Sequence, residues 1–258
     1  MKIKNFQENK NFIFRNKILK RAKLQALLFT DGSLIPERNQ ISFANTSKAL
    51  IDMFCGLVFE VYDRKLSKNS IGTGAGRRQK LYLVQFKSKE ICNDLLKDVI
   101  TYKTRLTKTF LPKLWFEFSN KELSYVLRSV FDADGGCSLR VYWKNKRKCF
   151  QIQREVFIGC KNPYLRGDYK KLLNKLGIKT GESSEKITIT NLNSIKLFRD
   201  LIGFSKNVHV GYDSKHWQGL EKMNLLNLIL NTYSIKRGLI QKFENKEGIY
   251  NHIRSILR

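Results

Sequence analysis

The sequence predicts an α+β fold built from two pseudo-symmetric αββαββα-type halves, each carrying an antiparallel sheet. Three observations carry this prediction. First, Leu24–Gly32 (LQALLFTDG) and Leu127–Gly135 (LRSVFDADG) share one design, an apolar helical segment ending in an acidic residue and a glycine. Their carboxylates, Asp31 and Asp134, lie 134 − 31 = 103 residues apart, close to half a chain of 258 residues. Second, small residues recur at matching places, Ala26 and Thr30 in one segment and Ser129 and Ala133 in the other. Third, each segment is followed by stretches of strict apolar/polar alternation, the period of a half-buried strand.

In the first half, Leu19–Thr30 carries apolar residues at helical spacing and Gly32 stops it. Breakers at Pro36–Asn39 precede Gln40–Asn45, where Ile41 and Phe43 alternate with Gln40, Ser42 and Ala44. Thr46 or Ser47 begins a helix through Leu50, Ile51, Phe54 and Leu57. A basic, glycine-rich loop, Ser67–Lys80, leads to a strand at Leu81–Lys87 and a helix at Lys89–Ile100. Phe110–Phe118, which contains Pro112, reads as the join between halves.

In the second half, Ser119 and Glu122 form a capping box that sets the helix start. Ser138–Lys144 places Leu139, Val141 and Trp143 on one face and Ser138, Arg140, Tyr142 and Lys144 on the other. A turn loaded with Lys146, Arg147 and Lys148 returns the chain to Phe150 and Ile152, alternating with Gln151 and Gln153. Tyr169–Leu176 is helical with Gly177 as its stop, Lys186–Thr190 is a strand, and Ile195–Ile202 closes the unit. The predicted boundaries are 1–109 for the first repeat, 110–118 for the linker, 119–224 for the second repeat and 225–258 for a basic helical tail.

Composition restricts the partner. With 49 Lys+Arg against 22 Asp+Glu, the formal charge is +27, the signature of a polyanion binder. A hydrophobic content of 42% separates the chain from disordered basic tails. No apolar run approaches the roughly 18 residues of a membrane span, and no signal-peptide core is visible. A soluble, intracellular protein is expected, in the cytoplasm or in an organelle with its own genome. The five cysteines form neither a disulfide framework nor a zinc motif. The polar strand faces are rich in Arg, Lys, Gln and Ser, which reach base edges and phosphates from a groove.

The two motifs resemble those of single-chain LAGLIDADG homing endonucleases. Leu24 and Leu127 match the first position, and Asp31-Gly32 and Asp134-Gly135 match the last two. The second copy keeps Asp132-Ala133-Asp134-Gly135, whereas Phe29 replaces the sixth-position Asp in the first; Ala26 and Ser129 replace the central glycine. The resemblance covers about residues 15–225. It implies a monomeric, site-specific double-strand DNA endonuclease whose sheets form a DNA-binding saddle. The small residues let the motif helices pack closely and bring Asp31 and Asp134 together, where a divalent cation would relieve their repulsion.

In that reading Asp31 and Asp134 bind Mg²⁺, or another divalent cation such as Mn²⁺, assisted by the main-chain carbonyls of Thr30 and Ala133. Lys87 resembles the basic residue that relatives keep beside the reacting phosphate. Its counterpart in the second repeat is expected at about Leu192. Ala44 falls near the place of a polar, water-holding residue. The partner is double-stranded DNA, gripped by Gln40 and Ser42, by Arg77, Arg78 and Lys80 of the basic loop, and by Ser138, Arg140, Tyr142 and Lys144. Lys146, Arg147 and Lys148 of the turn, Gln151, Gln153 and Arg154 of the partner strand, and Lys186, Thr188 and Thr190 complete the surface. Rival readings are a cleavage-inactive relative, such as an intron RNA-splicing maturase or a transcription factor, and a general structural nucleic-acid protein. No splicing-block residues suggest an intein.

Overall fold

A computed structural model describes residues 2–67, 69–71, 80–104, 108–212, 214–235 and 237–256. The first repeat runs α1 (Lys2–Thr30), β1 (Gly32–Ile35), β2 (Gln40–Asn45), α2 (Lys48–Tyr62), β3 (Asn69–Ile71), β4 (Leu81–Lys87) and α3 (Lys89–Leu96). A short helix, α4 (Leu114–Glu117), precedes the second repeat. That repeat comprises α5 (Asn120–Ala133), β5 (Gly135–Lys144), β6 (Cys149–Gly159), α6 (Pro163–Lys175), β7 (Gly181–Glu182), β8 (Lys186–Ile189) and α7 (Leu192–Leu201). Helices α8 (Lys222–Asn231), α9 (Arg237–Ile240) and α10 (Lys246–Ser255) follow.

Each repeat forms a four-stranded antiparallel sheet of the same topology, β1-β2-β4-β3 and β5-β6-β8-β7. The first hairpin of each sheet turns through one 3₁₀ turn and a left-handed residue, Asn39 (φ 48°) and Lys148 (φ 44°). In the first sheet Ile41, Phe43, Val84 and Phe86 are buried, and Phe43 stacks on Phe54 of α2 with ring centroids 4.8 Å apart. In the second, Cys137, Leu139, Val156, Ile158, Ile187 and Ile189 form the buried face.

Helices α1 and α5 pack side by side, running in the same sense. At one end Arg15 donates to both oxygens of Glu122 (2.6 and 2.9 Å), the glutamate of the α5 capping box. Midway the Lys23 ammonium lies 4.2 Å from the Tyr125 ring centroid. The other end brings Asp31 and Asp134 together. Ala26 and Ser129 are fully buried, so neither helix has room there for a longer side chain. Ser129 faces Met53 of α2, its hydroxyl 3.9 Å from the sulfur.

Both motif glycines have one physical cause. A Cβ on Gly32 would lie 2.5 Å from Leu28 Cα, and one on Gly135 would lie 2.6 Å from Phe131 Cα. Each outgoing strand folds back over the last turn of its own helix, and only glycine permits that approach.

Several boundaries differ from the sequence expectations. Helix α1 extends back to Lys2, and α3 stops at Leu96 rather than Ile100, because the chain then turns Val99 and Tyr102 into the core. Helix α6 begins at Pro163, where the Asn162 side chain accepts from the amides of Tyr164 and Leu165. The join at 110–118 is no loose linker: Trp115 and Phe118 are fully buried, and Trp115 meets Phe29 edge-on at 6.1 Å. Helix α8 starts at Lys222, and the tail belongs to the core, through Leu225, Leu226, Leu228 and Ile229 of α8 and Ile249, Tyr250 and Ile253 of α10. Side chains of the chain after α7 close the open edge of β5: Trp217 Nε1 donates to Leu139 O (2.8 Å), and Val141 N donates to Tyr250 Oη (2.9 Å). An uncovered edge would offer those backbone groups to another strand. Trp143 lies beyond this cover and is 42% exposed, resting on Phe150.

Candidate nucleic-acid interface and carboxylate centre

The carboxylates occupy equivalent positions at the helix ends. Asp31 N donates to Leu27 O (3.2 Å) and Asp134 N to Val130 O (2.9 Å), the last turn of each motif helix. The second strand of each sheet then anchors the aspartate backbone: Ala44 N donates to Asp31 O (3.2 Å) and Gly159 N to Asp134 O (2.9 Å). Ala44 and Gly159 are therefore counterparts, and so are the residues after them, Asn45 and Cys160.

The surroundings of the two side chains differ. Asn45 Nδ2 donates to Asp31 Oδ2 at 2.7 Å, and Asn45 Oδ1 accepts from Ser47 N at 2.7 Å, which fixes the amide. Asp31 thus has a polar neighbour one residue beyond Ala44, the position suggested by the sequence. At the second carboxylate the equivalent Cys160 turns its thiol to Asn162 O (3.4 Å). Burial pushes Asp31 above the usual carboxylate range, while the Asn45 hydrogen bond and the Lys222 charge oppose it. Burial and then the charge of Asp31 push Asp134 up to about 7, against the Lys222 charge. The two aspartates therefore act as an electrostatically coupled pair.

Lys222, at the start of α8, is the cation of this centre and was not singled out in the sequence. Its ammonium is buried and donates to the carbonyls of Asp132 (2.7 Å), Gly135 (2.6 Å) and Phe131 (3.4 Å). Burial lowers its proton affinity, and the charges of Asp132, Cys137, Asp134 and Asp31 restore part of it. Only the pattern of a lone lysine opening an apolar helical segment marked it in the sequence, and that pattern is common.

A cavity of about 610 Å³ opens beside Asp31, walled in part by Asn45, Ala133, Ser138, Arg140, Lys222 and Trp217. Among the described residues no cluster of three or more His, Cys, Asp or Glu side chains is present. Two carboxylates with nearby carbonyl oxygens nevertheless suit a hard cation of the magnesium type, which is held by one or two carboxylates plus substrate phosphate. The coupled aspartates also supply the negative charge such an ion neutralises.

Lys87 lies elsewhere. It pairs with Gln40 at the far end of β2, four residues from Ala44, or roughly 13 Å along the strand. Its exposed side chain is thus remote from Asp31. The sheet registers make Thr190, not Leu192, its counterpart, since Phe86 opposite Ile41 corresponds to Ile189 opposite Val156.

The polar sheet faces carry most of the remaining candidates. On the first sheet Gln40 and Ser42 share a face with Ser33, Gln85 and Lys87, of which Ser33 and Gln85 were missed. Gln85 had a signal, its alternation with the buried Val84 and Phe86. Lys80 is exposed beside the Tyr82 ring, and Arg77 and Arg78 lie outside the described residues. On the second sheet Arg140 pairs with Gln153 and Tyr142 with Gln151, the Tyr142 hydroxyl donating to Gln151 Oε1 at 2.9 Å. Lys146, Arg147 and Lys148 are exposed at the hairpin tip, and Lys144 leads into it. Thr188 is half-buried on the same face, opposite Phe157, and Thr190 is exposed just past β8.

Three candidates are otherwise engaged. Arg154 lies on the opposite face of the sheet, where Nε and Nη2 donate to Oγ1 (2.7 Å) and O (2.8 Å) of Thr232. The pleat places it there, opposite Leu139. Ser138 faces the polar side but is only 6% exposed. Lys186 pairs with the buried Glu155 at 2.8 Å.

No protein-family model and no curated protein matches this sequence. Solved structures match in shape, and the fold is a mixed α+β one with two antiparallel sheets. One is full-length DUF199/WhiA from Thermatoga maritima, with a TM-score of 0.53 and 14% identity, over 93% of this chain and 66% of that one. This chain thus spans just under two thirds of that protein's length. Variants of the homing endonuclease I-DmoI match with a TM-score of 0.48 and 15% identity, over 72% of this chain and 97% of theirs. The LAGLIDADG meganuclease I-AabMI, bound to uncleaved DNA, matches at 0.47 and 12%, over 92% of this chain and 97% of that one. Among the described residues no helix is long and apolar enough to cross a membrane.

Proposed function

We propose that this chain is a metal-dependent, site-specific DNA endonuclease that hydrolyses both strands of a duplex as a monomer. The observation that carries the reading is the coupled pair Asp31 and Asp134, closing two packed helices between two sheets with polar faces. A net charge of +27 supports a nucleic-acid partner. One chain supplies both halves, so one copy has a carboxylate for each strand.

Asp31, Asp134 and the carbonyls of Thr30 and Ala133 are the groups that would hold Mg²⁺ or Mn²⁺. Bound there, the ion supplies an activated water and offsets charge on the scissile phosphate and the leaving oxygen. Asn45 holds the Asp31 carboxylate in one orientation. Asp134, with its proton affinity near neutrality, releases its proton before it can act as a ligand. Arg140, Tyr142, Gln151 and Gln153 face base edges, and the tip residues 146–148 face phosphates.

The test uses a duplex enriched from a randomised pool by binding to the protein, incubated with and without Mg²⁺. Metal-dependent double-strand breaks that disappear in Asp31→Asn and Asp134→Asn support the proposal. A second reading, a binder such as an RNA-splicing maturase that does not cut DNA, draws on one observation: Lys222 already gives the carboxylates a counter-charge. Sequence-specific binding without cleavage in that assay supports the second reading.

A further inference from the structure

We infer that Lys222 is a positioning residue for one half-site only, holding the end of α5 so that Asp134, and not Asp31, is set for its strand. The inference rests on the endonuclease reading. All three hydrogen-bonded carbonyls belong to the last turn of α5 or the first residue of β5, on either side of Asp134. These carbonyls lie at the negative end of the helix, where a cation is favoured. Because the ammonium is spent on main-chain oxygens, it acts through the backbone that carries Asp134 and is not a phosphate ligand.

The same chain segment adds a second tether. Ser205 N donates to Asp132 Oδ1 at 2.9 Å, and Phe204 packs against Phe131. Lys222 is itself fixed, its backbone amide donating to Val208 O at 2.8 Å while Cys137 Sγ lies 3.9 Å from its carbonyl. The first motif helix ends differently. Neither motif helix has a basic residue in its own last turn, and where α5 receives the Lys222 ammonium, at α1 Thr30 Oγ1 donates to Leu27 O (2.8 Å) and Asn45 braces the carboxylate from β2. Among the described residues the hydrogen bonds of the segment after α7 thus reach the end of α5 and not that of α1, which makes the centre asymmetric.

Lys222→Met, Lys222→Gln and Lys222→Arg test this on an end-labelled duplex enriched from a randomised pool, with each strand followed separately in Mg²⁺. In Lys222→Met and Lys222→Gln one strand should slow by about tenfold relative to the other, so nicked product accumulates. Lys222→Arg, which keeps the charge and donors, should restore most of the balance. Partial misfolding scales both strands alike, so the ratio still reads the site. Hydrogen exchange of the metal-free protein gives a readout independent of cutting: amides 133–136 should exchange faster in Lys222→Met, and amides 30–33 should not. Equal slowing of both strands, or no slowing, with unchanged exchange at 133–136, overturns the inference while wild-type cutting upholds the endonuclease reading. A wild-type protein that cuts neither strand overturns both.

Discussion

Asn45 donates a 2.7 Å hydrogen bond to the Asp31 carboxylate, and its counterpart beside Asp134 is Cys160, whose thiol turns to a backbone carbonyl instead. The two carboxylates share a backbone frame but not a partner. This leaves Asp134 the more proton-hungry of the pair, pushed to about 7 by burial and by Asp31.

That asymmetry gives a pH dependence in the metal-free protein. Burial and the neighbouring Asp31 push the folded Asp134 up to about 7, whereas an aspartate carboxyl in the unfolded chain keeps its ordinary value of 3.8. Between these values the folded state holds the extra proton, so stability is greatest at the acid end and falls as pH rises toward 7. The slope should approach about 1.4 kcal/mol per pH unit and level off above 7. Urea midpoints of wild type and Asp134→Asn across pH 4–8 read this, and the variant should lose most of the slope.

Asp31→Asn and Asp134→Asn should each abolish double-strand breaks while target affinity changes by less than about tenfold, roughly 1.4 kcal/mol. In the proposed reading the carboxylates hold metal and contribute little to the grip on phosphates. Cleavage and binding measured on one duplex separate the two effects; full breaks at the wild-type rate would remove the metal-site assignment.

Packing at the helix pair and at the motif glycines is tight. Ala26→Leu should cost about 1–3 kcal/mol, because the position is fully buried between α1 and its neighbours. Gly135→Ala should cost at least as much, since its Cβ would meet the Phe131 backbone at 2.6 Å and backbone cannot rotate away. Thermal melts check both, and an unchanged melting temperature for either would refute the tight contact.

The second sheet should separate base reading from phosphate contact. Arg140→Ala should cost about 1–3 kcal/mol and relax preference at one or two base pairs. Lys146→Ala or Lys148→Ala should weaken binding to all sequences and lower the salt slope by about one. Arg154→Ala should leave base preference untouched and lower stability, because its guanidinium binds Thr232 on the other face. A library of single-base variants and a melt of each protein distinguish these outcomes.

The C-terminal helices should prove structural. Tyr250→Phe removes the acceptor of Val141 N and leaves a buried amide unpaired, at a cost of about 1–3 kcal/mol. Chemical denaturation of the pair measures it, and an unchanged midpoint would show that water replaces the hydroxyl.

The sequence by itself determined the duplication, the paired Asp-Gly ends, the order of elements and the alternation of most strands. These are properties of local period and of one chain compared with itself, and Ile41 to Phe43 or Leu139 to Val141 show them without a partner in view. Only the tertiary structure decided what surrounds each carboxylate. Lys87 and Lys222 differ little as sequence, yet strand register carries Lys87 along β2 away from Asp31, while the return of α8 beneath β5 brings Lys222 to the carbonyls beside Asp134. Arg154 likewise reads as one more basic strand residue until the pleat turns it to Thr232. Charge acts through space and register through pairing, and neither distance nor pairing between residues some 90 positions apart is encoded in any local period.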